Sequence, residues 1–152
     1  MAYGYMTQNY EPKSQARAVA LSLPISTKKT IEICNRIRGK QLSKAKGYLS
    51  RVMEMRQAVA YTKFNKGGAG HKPGMAVGRF PIKTAAHLLK LLDSVEANAE
   101  SKGLNTGTLA IIHIAAQQGG KAMHYGRQGR RKMKRTTVEI VVAEKEQKKE
   151  KK

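Results

Sequence analysis

The stretch ARAVALSL, residues 16–23, alternates large Val19, Leu21 and Leu23 with small Ala18, Ala20 and Ser22. Period two of this kind predicts a strand with one buried face. Pro24 ends it. Ser26 or Thr27 can then cap a helix through KKTIEICNRIRG, where Ile33 and Ile37 lie one turn apart and Gly39 is the stop. After a short hinge at Gly39 and Lys40, a second helix starts near Leu42, with Leu42, Ala45, Leu49 and Val52 on one apolar stripe. Lys44 and Arg51 fall on roughly the opposite side.

The helical pattern decays after Arg56. Residues 61–80, YTKFNKGGAGHKPGMAVGRF, are glycine-rich, basic and free of acids, which reads as a long loop that becomes ordered on binding. Pro81 suits the first turn of a third helix, and Ala85, Leu88, Leu89, Leu92, Val95 and Ala99 keep helical spacing until Gly103. TLAIIHIAA (108–116) and RTTVEIVVAE (135–144) are β-branched with period two and predict two strands. Strands joined directly pair antiparallel by default, so the segment between them becomes the distal part of a hairpin. The order β-α-α-loop-α-β-β predicts a small α+β domain, three helices packed on a small three-stranded antiparallel sheet. Residues 1–15 form an N-terminal extension, 16–144 a single domain, and 145–152, KEQKKEKK, a charged tail expected to be disordered.

Charge changes this picture from a fold to a partner. The 152 residues hold 30 Lys and Arg against 10 Asp and Glu, a net charge of +20. Such an excess repels itself in the folded state unless a polyanion offsets it, and nucleic acid is the leading candidate. An anionic membrane surface is a distant second; no stretch approaches a membrane span or a signal peptide, and no membrane partner is expected. Cys34 is the single cysteine, which excludes a disulfide framework and a thiolate metal cluster and fits a reducing cytosol.

Catalytic chemistry finds little support. Asp93, Glu96 and Glu100 share helical spacing, but a solvated helix face accounts for them more simply than a metal or acid–base site. His71, His87, His113 and His124 are scattered over different elements without metal-ligand spacing. GGAGHKPG and GGKAMHYG match neither the phosphate-binding loop nor the dinucleotide fingerprint. Cys34 beside Ile33 and Ile37 reads as a core filler. No metal, cofactor or enzymatic activity is expected.

The distribution of charge is more informative. No acid occurs between residues 55 and 92 or between 101 and 138. Solvated faces usually mix signs, so long single-sign stretches inside a domain point to a polyanion. The candidate RNA-binding residues are Lys28, Lys29, Arg36, Arg38 and Lys40 on the first helix; Lys63, Lys66, Lys72, Arg79 and Lys83 around the middle loop; and Lys121, Arg127, Arg130, Arg131, Lys132, Lys134 and Arg135 on the hairpin. A DNA reader concentrates contacts on one helix in one groove, whereas charge on several sides suits folded RNA read through phosphates and shape. Glycines among these cations let backbone approach phosphate closely.

Taken in order, ARAVALSLPISTKKTIEICNRIRGKQLSKAKGYLSRVM, AAHLLKLLDSVEANAESKGLN and the closing RTTVEIVVAE resemble the universal large-subunit ribosomal protein family L twenty-two. The likeness covers residues 16–144, and IRGK, EANAE and the order of the hairpin elements are its most specific parts. It implies an α+β domain bound to large-subunit ribosomal RNA, supporting subunit assembly beside neighbouring ribosomal proteins in the cytoplasm, with no homo-oligomer. It further implies a long protruding β-hairpin along the wall of the nascent-peptide exit tunnel. Its tip, residues 119–131, would face the nascent peptide through Gly119, Gly120, Lys121, Met123, His124, Tyr125, Gly126, Arg127 and Gly129. The insert at 61–80 and the tip sequence look like the archaeal and eukaryotic branch, so bacterial tip contacts do not transfer by position. The rival from another class is a free-standing nucleic-acid chaperone or architectural DNA-binding protein. A rigid hairpin discriminates the two, because eight residues per arm at about 3.3 Å each would reach roughly 26 Å.

Overall fold

In the computed structural model, which describes residues 3–66 and 70–144, five strands and three helices follow the order β1 (Gln15–Leu23), α1 (Thr27–Ile37), α2 (Leu42–Met53), β2 (Val59–Ala60), β3 (Gly78–Arg79), α3 (Ile82–Ser101), β4 (Leu109–Gln118) and β5 (Thr136–Glu144). The expected tail at 145–152 lies outside the described residues. β1, β5 and β4 form an antiparallel sheet in that order, with the last strand in the centre. The helices cover one face: α3 lies on β1 and β5, α1 on β4, and α2 against α3. This is the α+β architecture that the hydrophobic periods predict.

The helical stripes behave as their spacing requires. Ile33 and Ile37 of α1, Leu42, Ala45, Leu49 and Val52 of α2, and Ala85, Leu88, Leu92, Val95 and Ala99 of α3 are all buried in one core. Gly39 and Gly103 both adopt φ of +75° just past helix ends, a conformation that disfavours any side chain. Ser26 precedes α1 without a side-chain cap bond; the Thr30 hydroxyl donates instead to the Ser26 carbonyl at 2.9 Å.

β1 turns its small residues inward. Ala16 and Ala18 are buried in the core, whereas Leu21 is 59% exposed. Alanines there let α3 approach the strand closely, and Asn98 Nδ2 of α3 donates to the Arg17 carbonyl on the strand's free edge at 3.0 Å. Near its end β1 bulges: the register shifts between Ala20 and Leu23, and Ser22 takes φ of +50°. The opposite edge strand, β4, bulges between Ile111 and His113. There the α1–α2 hinge supplies a substitute partner, Gly39 N donating to Ile111 O and Ile111 N to Lys40 O, each at 2.9 Å. Both free edges are thereby partly covered.

β5 is buried on both faces. Val138, Ile140 and Val142 point to the helices, and Glu139 and Val141 point the other way, yet both are inaccessible. Residues 3–10 account for the second face. Glu139 accepts from the Tyr3 hydroxyl at 3.1 Å and the Met6 backbone N–H at 3.2 Å, and His113 Nε2 lies 2.9 Å from its other oxygen. The Arg17 guanidinium sits 4.3 Å from the ring centroids of both Tyr5 and Tyr10, and Lys102 Nζ donates to Tyr10 Oη and to the carbonyls of Pro12 and Gln15. The N-terminal extension is a cover for the sheet.

The inward alanine face gives a test. Ala16→Leu forces extra methylenes under α3 and should destabilise by about 1–3 kcal/mol, while Leu21→Ala on the open side should cost less than about 0.5 kcal/mol; urea unfolding compares them, and the reverse order would refute the assignment of faces. Burial also pushes the Cys34 thiol from 9.0 up to about 12. Between those values the unfolded chain holds fewer protons than the native one, so this group's contribution to stability is intact below pH 9.0 and lost as pH rises towards about 12. Native Cys34 should accordingly resist iodoacetamide at pH 8 and react on unfolding; fast alkylation of folded protein would contradict its burial.

Candidate nucleic-acid interface

The candidate cations fall into three groups that the fold holds apart. Lys28 and Lys29 stand at the start of α1, and Arg36, Arg38 and Lys40 at its end and just beyond. An eleven-residue helix separates them by roughly 16 Å. Lys28, Arg36, Arg38 and Lys40 are exposed and Lys29 is half-buried. Arg38 is not wholly outward: its Nη2 donates to the Ile114 carbonyl at 2.9 Å on the β4 edge. Lys40 Nζ lies 5.2 Å from the Tyr48 ring centroid.

The second group surrounds a structure that periodicity does not reveal. β2 and β3 pair antiparallel, Val59 with Arg79 and Ala60 with Gly78, and Tyr61 N donates to Val77 O at 2.9 Å. The 61–80 segment is therefore closed at its base by a small ribbon rather than left without partners. Glu32, buried on α1, accepts from Thr62 N at 3.2 Å, Thr62 Oγ1 at 3.3 Å, Lys63 N at 2.9 Å and Phe64 N at 2.7 Å. That fixes Lys63, with Lys66 just beyond. Lys28 and Lys63 place their ammonium groups 5.7 and 5.9 Å from the Phe64 ring. Lys72 lies 5.7 Å from the Phe80 ring and Arg79 5.8 Å from the ring of Tyr61. Burial pushes the Tyr61 hydroxyl up to about 12 against the opposing pull of Arg79. His71 Nδ1 lies 3.1 Å from Ala76 O within the turn, and Lys83 is exposed on the first turn of α3.

The third group lies on the connection between β4 and β5. Its backbone continues the ladder: Gly119 N donates to Arg135 O at 3.0 Å, Met133 N to Ala122 O and His124 N to Arg131 O, each at 2.8 Å, and Met123 bridges Lys132. A short 3-10 turn, Gly126–Gln128, closes the end, with Gly126 at φ of +62°. Residues 120–132 are all exposed, Tyr125 by 88%. Gly120, Lys121, Met123, His124, Tyr125, Gly126, Arg127, Gly129, Arg130, Arg131 and Lys132 thus stand in solvent, as does Lys134, with Gly119 and Arg135 half-buried at the base. Arg135 Nη1 donates to the Ser22 carbonyl at the β1 bulge, 3.2 Å away.

Among the described residues most carboxylates have partners within the chain, and Glu100 is exposed. Glu32 and Glu139 are buried, Glu54 pairs with Arg56 at 3.2 Å, Glu144 accepts from Asn105 N, and Glu11 accepts from the Ser14 hydroxyl. Asp93 and Glu96, expected on a solvated face, both grip Lys46 of α2, Asp93 at 2.6 Å. Burial alone would lower Lys46, but hydrogen bonds and charge from these two acids hold it above its ordinary value. Among the described residues no group of three or more His, Cys, Asp and Glu could hold a metal, and no helix is long and apolar enough to cross a membrane.

Residues 18–143 match the family model described as ribosomal protein L22p/L17e. The chain belongs to that family. A large ribosomal subunit protein uL22 of Ignicoccus hospitalis is 39% identical over 143 residues, covering 88% of this chain and 90% of the relative. That of Archaeoglobus fulgidus is 39% identical over 143 residues, with 87% and 92% covered, and that of Methanococcus aeolicus 44% over 112, with 72% of each. The likeness is thus to the archaeal type. In this L22p/L17e member the stretches that carry the resemblance have structural tasks. IRGK supplies Arg38, Gly39 and Lys40 to the β4 edge; EANAE supplies Glu96 to Lys46, Asn98 to the β1 edge and Ala99 to the core.

Sequence reasoning missed Glu32, Glu139 and the Arg17–tyrosine stack. A signal was available for the acids: each stands between two large aliphatic residues, Ile31 and Ile33 or Val138 and Ile140. The exposure of residues 120–132 predicts that replacing 120–133 by Asn-Gly leaves the thermal midpoint within a few degrees of the parent, a shift of about 2–4 °C corresponding to roughly 1 kcal/mol in a chain of this size. A larger fall in a calorimetric scan would show that this connection packs on the body.

Proposed function

We propose that the chain binds large-subunit ribosomal RNA through its three cationic groups and extends the β4–β5 connection along the nascent-peptide exit tunnel. As a member of a large-subunit ribosomal protein family it is a structural, non-enzymatic constituent of the cytoplasmic ribosome, consistent with translation-linked relatives named as large-subunit proteins. The observation that carries the RNA reading is the division of charge: most carboxylates of the described residues have partners within the chain, while Lys28, Lys63, Lys66, Lys121, Arg127, Arg130, Arg131 and Lys132 stand exposed. A predominantly cationic surface on several sides of a small domain fits a partner that surrounds it and offers phosphates all round.

The tunnel assignment rests on family membership and on a connection that is exposed along its length, carries its own backbone ladder and holds no acid. Its end presents Met123 and Tyr125, large apolar surfaces suited to a passing peptide or an unpaired base. A ladder anchored in β4 and β5 also favours this reading over a free nucleic-acid chaperone, which needs no aligned arm.

Co-sedimentation tests the location: the protein should stay with large subunits through a moderate salt wash, and recovery only from free fractions would refute it. For the RNA surface, Arg36→Gln with Lys40→Gln is cleaner than any set including Arg38, whose guanidinium also serves the β4 edge. Filter binding to transcribed archaeal large-subunit RNA over graded KCl should show weaker affinity and a log–log salt slope shallower by about 1–2. An unchanged slope would remove that end of α1 from the interface.

A further inference from the structure

Glu32 is an acid in the middle of a basic surface, and its position there invites a reason. It is 2% exposed, on the α1 turn that follows Lys28 and Lys29, and its two oxygens accept from Thr62, Lys63 and Phe64. Three consecutive backbone N–H groups converge on one carboxylate, so the chain leaving β2 has a fixed course. That course sets Phe64 beside the core. It also brings Lys63 to 5.9 Å and Lys28 to 5.7 Å from the same ring, so the two ammonium groups are no more than about 12 Å apart. Phe64 gives this basic segment an apolar contact there, and the carboxylate fixes the backbone around it.

We propose that Lys28 and Lys63, with Lys29 and Lys66 flanking them, form a clamp for the phosphodiester backbone of RNA, and that Glu32 is its positioning residue. Glu32 touches no RNA. It fixes Lys63 opposite Lys28 so that less freedom is lost when the strand binds. Residues 62–66 are then a second RNA grip, separate from the hairpin and from the far end of α1. This inference rests on the RNA-binding reading above.

The sign of one substitution separates positioning from simple electrostatics. Glu32→Gln removes a negative charge beside four lysines, which by charge alone should tighten RNA binding. A positioning role predicts weakening, by about three- to tenfold at fixed KCl, since each tenfold is one unit in log affinity. Full-length variants are titrated with transcribed archaeal large-subunit RNA over graded KCl, with amide hydrogen exchange as the readout of the loop. The expected result is weaker binding by E32Q, faster exchange at Thr62, Lys63 and Phe64, a salt slope shallower by about 1–2 in K28Q/K63Q, and no further loss when E32Q is added to K28Q/K63Q. Unchanged or tighter binding by E32Q overturns the proposal. If E32Q loses its fold by circular dichroism, K28Q/K63Q decides alone, and a parental slope in it overturns the clamp. A parent that fails to bind this RNA would instead overturn the reading under Proposed function.

Discussion

A carboxylate shut away from water must be met by donors from the protein itself, and two such groups fasten the parts of this chain that hydrophobicity alone would leave loose. Glu139, inaccessible on β5, draws residues 3–6 across the outer sheet face. Glu32, buried on α1, draws residues 62–64 against the helix. Both recruited segments are poor in aliphatic residues; residues 62–64 meet Glu32 chiefly through backbone N–H groups, whereas residues 3–6 meet Glu139 through the Tyr3 hydroxyl and one N–H, that of Met6. In a chain with three basic residues for every acid, burying these two leaves the exterior more strongly cationic. Anchoring and surface potential follow from the same scarcity.

The sheet shows how little hydrophobic material must be made to suffice. Three strands leave two edges and an outer face, each a liability unless covered. α3 approaches β1 over alanines and lends Asn98 to one edge; the α1–α2 hinge and Arg38 serve the other; the tyrosines of the extension, held by Arg17 and Lys102, close the outer face. Basic side chains thus work on the protein's own carbonyls and rings, whatever they also offer to the proposed RNA. Arg38 and Arg135 illustrate the internal use, each donating to a backbone carbonyl near a bulge in its sheet.

Helices and long strands were legible because each is specified within its own segment. Ile33 and Ile37, or Leu88, Leu92 and Val95, repeat at the period of the element that they build. The parts that escaped depend on distant residues. β2 and β3 are two residues each, and the segment leaving β2 is held by Glu32, thirty positions before Thr62, so no local period marks them. The inward face of β1 was hidden because its alanines are chosen by the approach of α3, while the bulkier Leu21 looks outward. For the interface, charge runs located the basic segments. They could not tell Lys63, held by a neighbour's carboxylate, from Arg135, drawn to Ser22, since a cation reads alike whether it faces RNA or its own backbone.

The central place of β5 sets a schedule for the chain's birth. β1 pairs only with β5 in this sheet, and Glu139 is the partner of Tyr3 and Met6, 136 and 133 positions away. During synthesis the first strand therefore has no strand to pair with, and Tyr3 and Met6 no carboxylate, until residues 136–144 have emerged. The helices can collapse earlier, but the sheet closes in one late step. Until then a strongly cationic, half-assembled chain is open to any polyanion in the cell, so its fate in that interval depends on how soon its last strand arrives.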